Sequence, residues 1–221
     1  MNNIKKTAIV IGATGLTGGY LLDTLLNDDR YATVKLFSRS SVKKKHPKIK
    51  EYFIDMFDLQ SAKSDFMADE VFCCIGTTAK KTPDKELYKQ IDYGIPVNAA
   101  RLAKENGIST FIVMSSMGAN SRSTVFYNRL KGTMEDDVRA TGIANTYMVR
   151  PSLIGGERNE SRPGEYFGKQ LFKILNPLMI GSLKKYRLIH PSKIAKAMVR
   201  LANDQFDSTI VESDVLQKLG A

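Results

Sequence analysis

Two cysteines and two histidines are all that the 221 residues contain of either type. Cys73 and Cys74 are sequence neighbours, poorly placed to bridge each other, and in their apolar run they read as reduced, buried strand residues. His46 and His190 add no spacing that resembles a zinc site, so no metal is expected. Long apolar runs are also missing: nothing approaches the roughly 18 consecutive apolar residues that a membrane-spanning helix needs. The longest candidate, Leu171 to Leu183, is interrupted by Lys173, Asn176 and Pro177 and reads as an amphipathic helix or a loop. Lys5-Lys6 ahead of an apolar run mimics a short signal peptide, but the run stops within a few residues at a glycine-rich turn. Thr7–Ile11 is therefore read as a buried first strand, and the protein as soluble and cytoplasmic. Acidic residues are the scarcer charge, 23 against 33 basic ones, for a net charge of +10. Such an excess suits nucleic acid, but it suits equally a basic cleft for an anionic cofactor, and Lys43-Lys44-Lys45 reads as a solvated loop. No nucleic-acid partner is expected.

What is present is an alternation of short apolar runs and helical patterns, the rhythm of a parallel sheet covered by helices on both faces. Candidate strands are Thr7–Ile11, Thr33–Ser38, Glu51–Ile54, Val71–Ile75, Thr110–Ser115 and Thr146–Val149, with Thr209–Glu212 as a further edge strand. They are rich in β-branched and aromatic residues and lack strict alternation, as strands buried on both sides do. Helical patterns cover Leu16–Asn27, Asp84–Asn106, Ser123–Thr141 and Ser192–Asn203. Pro96 predicts a kink or break in the second, Gly107 and Gly142 are placed as C-terminal caps, and Ser192 as the N-cap of the last. The pattern predicts one α/β domain with a doubly wound, mostly parallel, Rossmann-like sheet, its core in residues 1–150 and a smaller substrate or lid region in 151–221. Within the latter, Gly155 to Gly164 reads as a loop over the carboxyl ends of the strands, where open α/β sheets bind ligands.

Gly12-Ala13-Thr14-Gly15-Leu16-Thr17-Gly18 follows the first strand and opens the first helix. Glycines so placed give a tight turn, a close backbone approach to a pyrophosphate, and close helix–strand packing. The helix start offers free N–H groups to phosphate oxygens, and Thr14 and Thr17 can add hydroxyls. At the end of the second strand an NAD enzyme places a carboxylate for the ribose 2′-hydroxyl, about twenty residues past the glycines. Ser38-Arg39 stands there instead, and a guanidinium with a hydroxyl suits a 2′-phosphate, so NADP(H) is preferred with NAD(H) as the alternative. Asp55, ending the third strand, is placed to border the adenine. Ile75-Gly76-Thr77 ends the fourth, where the dinucleotide would pass close to the backbone. A capping aspartate and a turn glycine account for these two positions nearly as well.

Tyr127-Asn128-Arg129-Leu130-Lys131 puts a tyrosine and a lysine four apart on one helical face. The ammonium can favour the tyrosinate, drawing a phenol of ordinary pKa about 10 towards acid/base work, and can hydrogen-bond a nicotinamide ribose. Ser115-Ser116, ending the fifth strand, can orient a substrate carbonyl beside Tyr127.

These motifs together resemble the short-chain dehydrogenase/reductase superfamily, in its atypical branch with short C-terminal regions, and within it the group named for the human Tat-interactive protein. The resemblance is carried by the glycine turn, Phe72-Cys73-Cys74-Ile75-Gly76-Thr77-Thr78, Ser115-Ser116, Tyr127 with Lys131, and Arg150-Pro151 followed by Glu160-Ser161-Arg162-Pro163-Gly164-Glu165, and runs over nearly the whole chain. It implies a seven-stranded Rossmann-like fold, NADPH as ligand, and Tyr127 and Lys131 as the active pair. It also implies Ser116 ahead of Ser115 as the active serine, Ile154 and Arg162 flanking the cofactor, and Ile75 and Gly76 lining its passage.

The leading expectation is therefore an NADP(H)-dependent oxidoreductase acting on a small carbonyl or alcohol. The alternative is an NADP(H)-sensing regulatory protein with a protein partner and little turnover, supported by the short chain left after Arg150-Pro151 and by the group's association with partner binding. Substrate identity, net reduction against epimerase or dehydratase chemistry, and oligomeric state are not legible.

Overall fold

The computed structural model describes residues 5–155 and 186–221. Seven strands form one sheet: β1 (Lys6–Ile11), β2 (Tyr31–Ser38), β3 (Ile49–Phe53), β4 (Glu70–Cys73), β5 (Thr110–Met114), β6 (Asn145–Arg150) and β7 (Ile210–Glu212). The spatial order is β3-β2-β1-β4-β5-β6-β7, and every neighbouring pair is parallel. Each expected strand is present, with ends shifted by at most two residues. Even β7, read only as an edge run, pairs with β6 from Met148↔Ile210 to Arg150↔Glu212.

Alternate residues of β1 feed two separate cores. Ala8 and Val10 face a cluster built with α1 (Leu16–Leu26), α5 (Pro191–Asn203) and α6 (Ser213–Leu219). Ile9 and Ile11 face another built with α3 (Ile95–Glu105) and α4 (Phe126–Ala140). All four side chains are fully buried. A parallel strand with helices over both faces has no polar side to show, which is why these strands read as unbroken apolar runs. Residues 186–221, allotted to a substrate or lid region, supply β7, α5 and α6 and so complete both the sheet and one helical layer.

The long helix expected over Asp84–Asn106 is three pieces. Asp84 caps α2 (Lys85–Lys89), its carboxylate accepting the Leu87 N–H at 2.7 Å. Gln90–Gly94 then forms one π-helical turn before α3 begins, with Pro96 in its first turn. Proline has no N–H for the carbonyl four residues back, which here belongs to Asp92, so the ladder rewinds at that point. A second difference lies at α5. His190, not Ser192, is its N-cap, with Nδ1 accepting the Ser192 N–H at 3.3 Å. The short α6 and a 3-10 turn at Leu59–Ala62 add to the expected elements. Among the described residues no helix is long and apolar enough to cross a membrane. The segment Leu171 to Leu183, the loop from 156 to 164, and Arg162 lie outside the described residues.

Candidate dinucleotide and acid/base site

The strand order reverses between β1 and β4, and the carboxyl ends of those strands frame the crevice where open α/β sheets hold ligands. The glycine turn occupies that point. Gly12 has φ +87°, a conformation side chains rarely adopt, and a Cβ on it would meet the Cys74 carbonyl at 2.9 Å. A Cβ on Gly18 would lie 2.1 Å from the Gly12 oxygen. The turn closes through Gly15 N–H donating to Gly12 O at 3.0 Å, and α1 begins with Gly15 as N-cap. No side chain caps this helix, and no acidic residue sits in its first turn. The amides of Leu16, Thr17 and Gly18 thus lack intrahelical acceptors and face no competing carboxylate. Such a cradle fits a pyrophosphate. Thr14 and Gly15 are exposed at its rim, while Leu16 is half-buried and Thr17 buried.

At the next strand end, Arg39 is exposed and has no hydrogen bond or ion pair among the described residues, whereas Ser38 is buried with its hydroxyl donating to Ser40 O at 2.8 Å. Asp55 is exposed and accepts from the Phe57 N–H at 2.9 Å, a local turn contact. Ile75, Gly76 and Thr77 follow β4, the first and third half-buried and Gly76 exposed. Ile154 makes an isolated parallel bridge with Ile189 beside the α1-side core.

The two serines separate cleanly. Ser115 is buried, with its hydroxyl donating to Glu135 of α4. Glu135 in turn takes a two-pronged contact from Arg150 at 2.8 Å (Nε) and 2.5 Å (Nη2), and Arg150 reaches Glu212 at 3.2 Å. These bonds hold the Arg150 guanidinium above its ordinary pKa, its hydrogen bonds to Glu135 outweighing burial. Ser115 is spent on this network. Ser116 Oγ is buried and has no hydrogen-bond partner among the described residues. Backbone bonds on either side pin it, Ser115 N–H to Val149 O at 2.8 Å and Met117 N–H to Pro151 O at 3.1 Å.

Tyr127 and Lys131 lie one turn apart on α4 with opposite exposures: Tyr127 is 36% exposed, Lys131 only 2%. Tyr88 of α2 stands edge-on to the Tyr127 ring at 6.4 Å between centroids. Burial pushes the Tyr88 phenol well above its ordinary value, with Asp92 and Tyr127 adding to the rise. The Lys131 ammonium lies 3.4 Å from the carbonyl of Met114, the last residue of β5. It also makes a 2.9 Å ion pair with Asp92, whose side chain is 1% exposed, and the other Asp92 oxygen accepts the Thr77 N–H at 2.7 Å. Burial alone would pull the lysine down, but Asp92 and Tyr127 outweigh it and hold Lys131 above its usual range. Asp92 is the residue that motif reading missed. The one signal of it in the sequence is Pro96, four residues on, which forces the rewound turn. The neighbouring thiols take no part: burial pushes Cys73 up to about 11 and Cys74 higher still.

A parallel 3-2-1-4-5-6-7 sheet with an uncapped glycine turn at its reversal point defines a dinucleotide-binding Rossmann protein. Comparison agrees: the family model described as NAD(P)H-binding matches residues 12–170. Protein FMP52, mitochondrial, of Debaryomyces hansenii is 31% identical over 219 residues, covering 94% of this chain and 93% of that protein. Protein HTATIP2 of Rattus norvegicus is 29% identical over 172 residues, 76% of this chain and 71% of its own. Among solved structures, the Bordetella bronchiseptica enzyme WbmH in complex with NAD+ superposes with a TM-score of 0.69 at 17% identity, over 94% of this chain and 75% of that one. A short chain dehydrogenase family protein from Francisella tularensis gives 0.64 at 16%, over 94% and 96%. The chain belongs to the NAD(P)H-binding family.

One expectation is overturned here. The chain was expected to be cytoplasmic, yet the fungal relatives, including that of Meyerozyma guilliermondii at 33% identity over 213 residues, are named as mitochondrial proteins. That Lys6–Ile11 forms β1 does not select a compartment.

Proposed function

We propose that this protein is an NADP(H)-dependent oxidoreductase in which Tyr127 exchanges a proton with the oxygen of a carbonyl or alcohol substrate. The observation that carries the reading is Lys131: a lysine buried under the end of β5, one helical turn from a half-open tyrosine, at the carboxyl edge of the sheet. Desolvating an ammonium is costly, and the location is where this fold presents ligands to chemistry. When bound, the dinucleotide supplies or accepts the hydride. The chain's residues do the rest. Leu16, Thr17 and Gly18 amides receive the pyrophosphate, and Arg39 receives a 2′-phosphate. Ile75 to Thr77 and Ile154 border the cofactor. Lys131 orients the ribose and favours the tyrosinate, Tyr127 gives or takes the proton, and the unpartnered Ser116 hydroxyl donates to the substrate oxygen. Ser115 holds the Ser116 loop through Glu135.

The test is turnover of a panel of aldehydes, ketones and quinones with NADPH. Tyr127→Phe should cut kcat by ~100-fold or more while leaving NADPH affinity within a few-fold. Arg39→Ala should weaken NADPH but not NADH. Tight NADPH binding with no turnover of any substrate would move the assignment to a cofactor sensor.

A further inference from the structure

Asp92 has no part in the mechanism just described, yet its carboxylate makes two contacts that nothing local requires: the Lys131 ammonium at 2.9 Å and the Thr77 N–H at 2.7 Å. Three elements are joined by one side chain: the loop after β4, the π-helical turn, and α4. We infer that Asp92 is a positioning residue that keeps Lys131 protonated and aimed, and that it ties the cofactor-bordering loop to the lysine; the inference rests on the Tyr127–Lys131 reading above.

The geometry excludes an ordinary surface pair. Both side chains are essentially inaccessible. A buried pair is weak evidence for stability, because desolvation offsets the attraction, so a structural purpose alone would be served as well by two apolar residues. Facing Lys131 are Asp92 from the π-helical turn, Tyr127 from α4, Cys73 from β4 and the Met114 carbonyl from β5. Facing Asp92 are Lys131, Tyr88 of α2, the Cys73 thiol of β4 and the Thr77 amide. Asp92 is therefore the sole carboxylate among the described groups facing the lysine. Take it away and burial, the largest single influence on Lys131, acts with only the phenol and the thiol against it. The lysine then holds its proton less tightly.

In the reductive direction both Tyr127 and Lys131 must hold their protons. In Asp92→Asn the lysine loses its proton at lower pH, and this moves the alkaline limb of activity to lower pH.

The experiment uses the full chain with Asp92→Asn and Asp92→Glu. The first readout is the NMR titration of the Lys131 ε-carbon, assigned by its absence in Lys131→Met. The wild type should show no titration below about pH 10, the Asn variant a midpoint at least about one unit lower than the wild type, and the Glu variant a return towards wild type. The second is the pH profile of NADPH-dependent kcat/KM, whose alkaline limb should fall by about one unit in Asp92→Asn, a tenfold extra loss at the alkaline end. A Lys131 signal that titrates alike in wild type and Asn variant, or a loss of activity equal at every pH, overturns the inference. Should Asp92→Asn fail to fold, adding Lys131→Met removes the unpaired charge and should restore the fold; failure to restore it makes Asp92 a packing residue and also overturns the inference. If Lys131 shifts as expected but the wild type binds NADPH without turning over any substrate, the counter-ion assignment stands and the oxidoreductase reading falls.

Discussion

At Gly18 an added methyl group would stand 2.1 Å from the Gly12 carbonyl oxygen, and backbone on both sides leaves it nowhere to go. Gly18→Ala should therefore cost at least about 1–3 kcal/mol and abolish NADPH binding, as read by urea unfolding and calorimetry. The adjacent position has the opposite outcome. A Cβ on Gly19 meets only Ala13 O at 3.7 Å, ordinary contact within α1, so Gly19→Ala should stabilise by up to about 1 kcal/mol through helix propensity. A second residue-scale case is Glu70, buried at the start of β4 beside Lys6 and Tyr31, with Oε1 lacking a partner among the described residues. Burial raises its carboxyl above the usual 4.5 despite those neighbours. The folded state then binds the proton more tightly than the unfolded chain. Its contribution to stability is complete below about 4.5 and is lost as pH rises through the higher folded value. Between pH 4.5 and 7 the unfolding free energy of the wild type should decline relative to Glu70→Gln. Parallel pH dependences would contradict this. At this scale the sequence disclosed the glycines and the Tyr127–Lys131 spacing, because each is a local pattern. It could not disclose that Ser115 turns to Glu135, or that Lys131 meets Asp92, because those contacts exist only once separate elements are packed.

Among elements, the network at the ends of β5, β6 and α4 bears most directly on the site. Glu135→Ala would leave Ser115 and one side of Arg150 unpaired in a largely buried setting, a loss on the order of 3 kcal/mol, checked by thermal or urea unfolding. Glu135→Gln, which can still accept from Ser115, should lose less. The same scale explains which secondary structure was readable. The strands stood out as β-rich apolar runs because both of their faces are covered, and α1 stood out through its glycine entry. Pro96 announced a break in the second helical segment but not its form. A π-helical turn is a response to a missing hydrogen bond, and its rotation of Asp92 inward follows from packing against α4, which propensity does not encode. α6, two turns long, is too short to show a period, and at α5 the helical pattern was right while the capping side chain belonged to His190.

For the molecule as a whole, the α/β rhythm pointed to a doubly wound, mostly parallel sheet of six strands with Thr209–Glu212 as a further edge run, and the count of seven came with the family resemblance. The sheet has seven strands, all parallel, and right-handed strand–helix–strand crossovers leave few other arrangements. Compartment was not legible, since nothing in core packing depends on it. The net charge of +10 acts at this scale too. NADPH at about a hundred times its Kd should stabilise the fold by ~2.7 kcal/mol, or roughly 5–10 °C in Tm. NADH at equal concentration should give less. Raising salt from about 0.05 to 0.5 M should shrink the NADPH effect as the positive field is screened, visible in thermal melts.

The packing of α1 against α5 sets a schedule for the ribosome. α1 is made long before α5 and buries its leucines under it, since Leu21 and Leu25 share a core with Ile194, Ala197 and Met198. At ~5–20 residues per second, the nascent chain carries that uncovered flank for on the order of ten seconds or longer before its cover emerges. Chain release ahead of Pro191 would leave the flank bare for good, a ready target for chaperones and proteases.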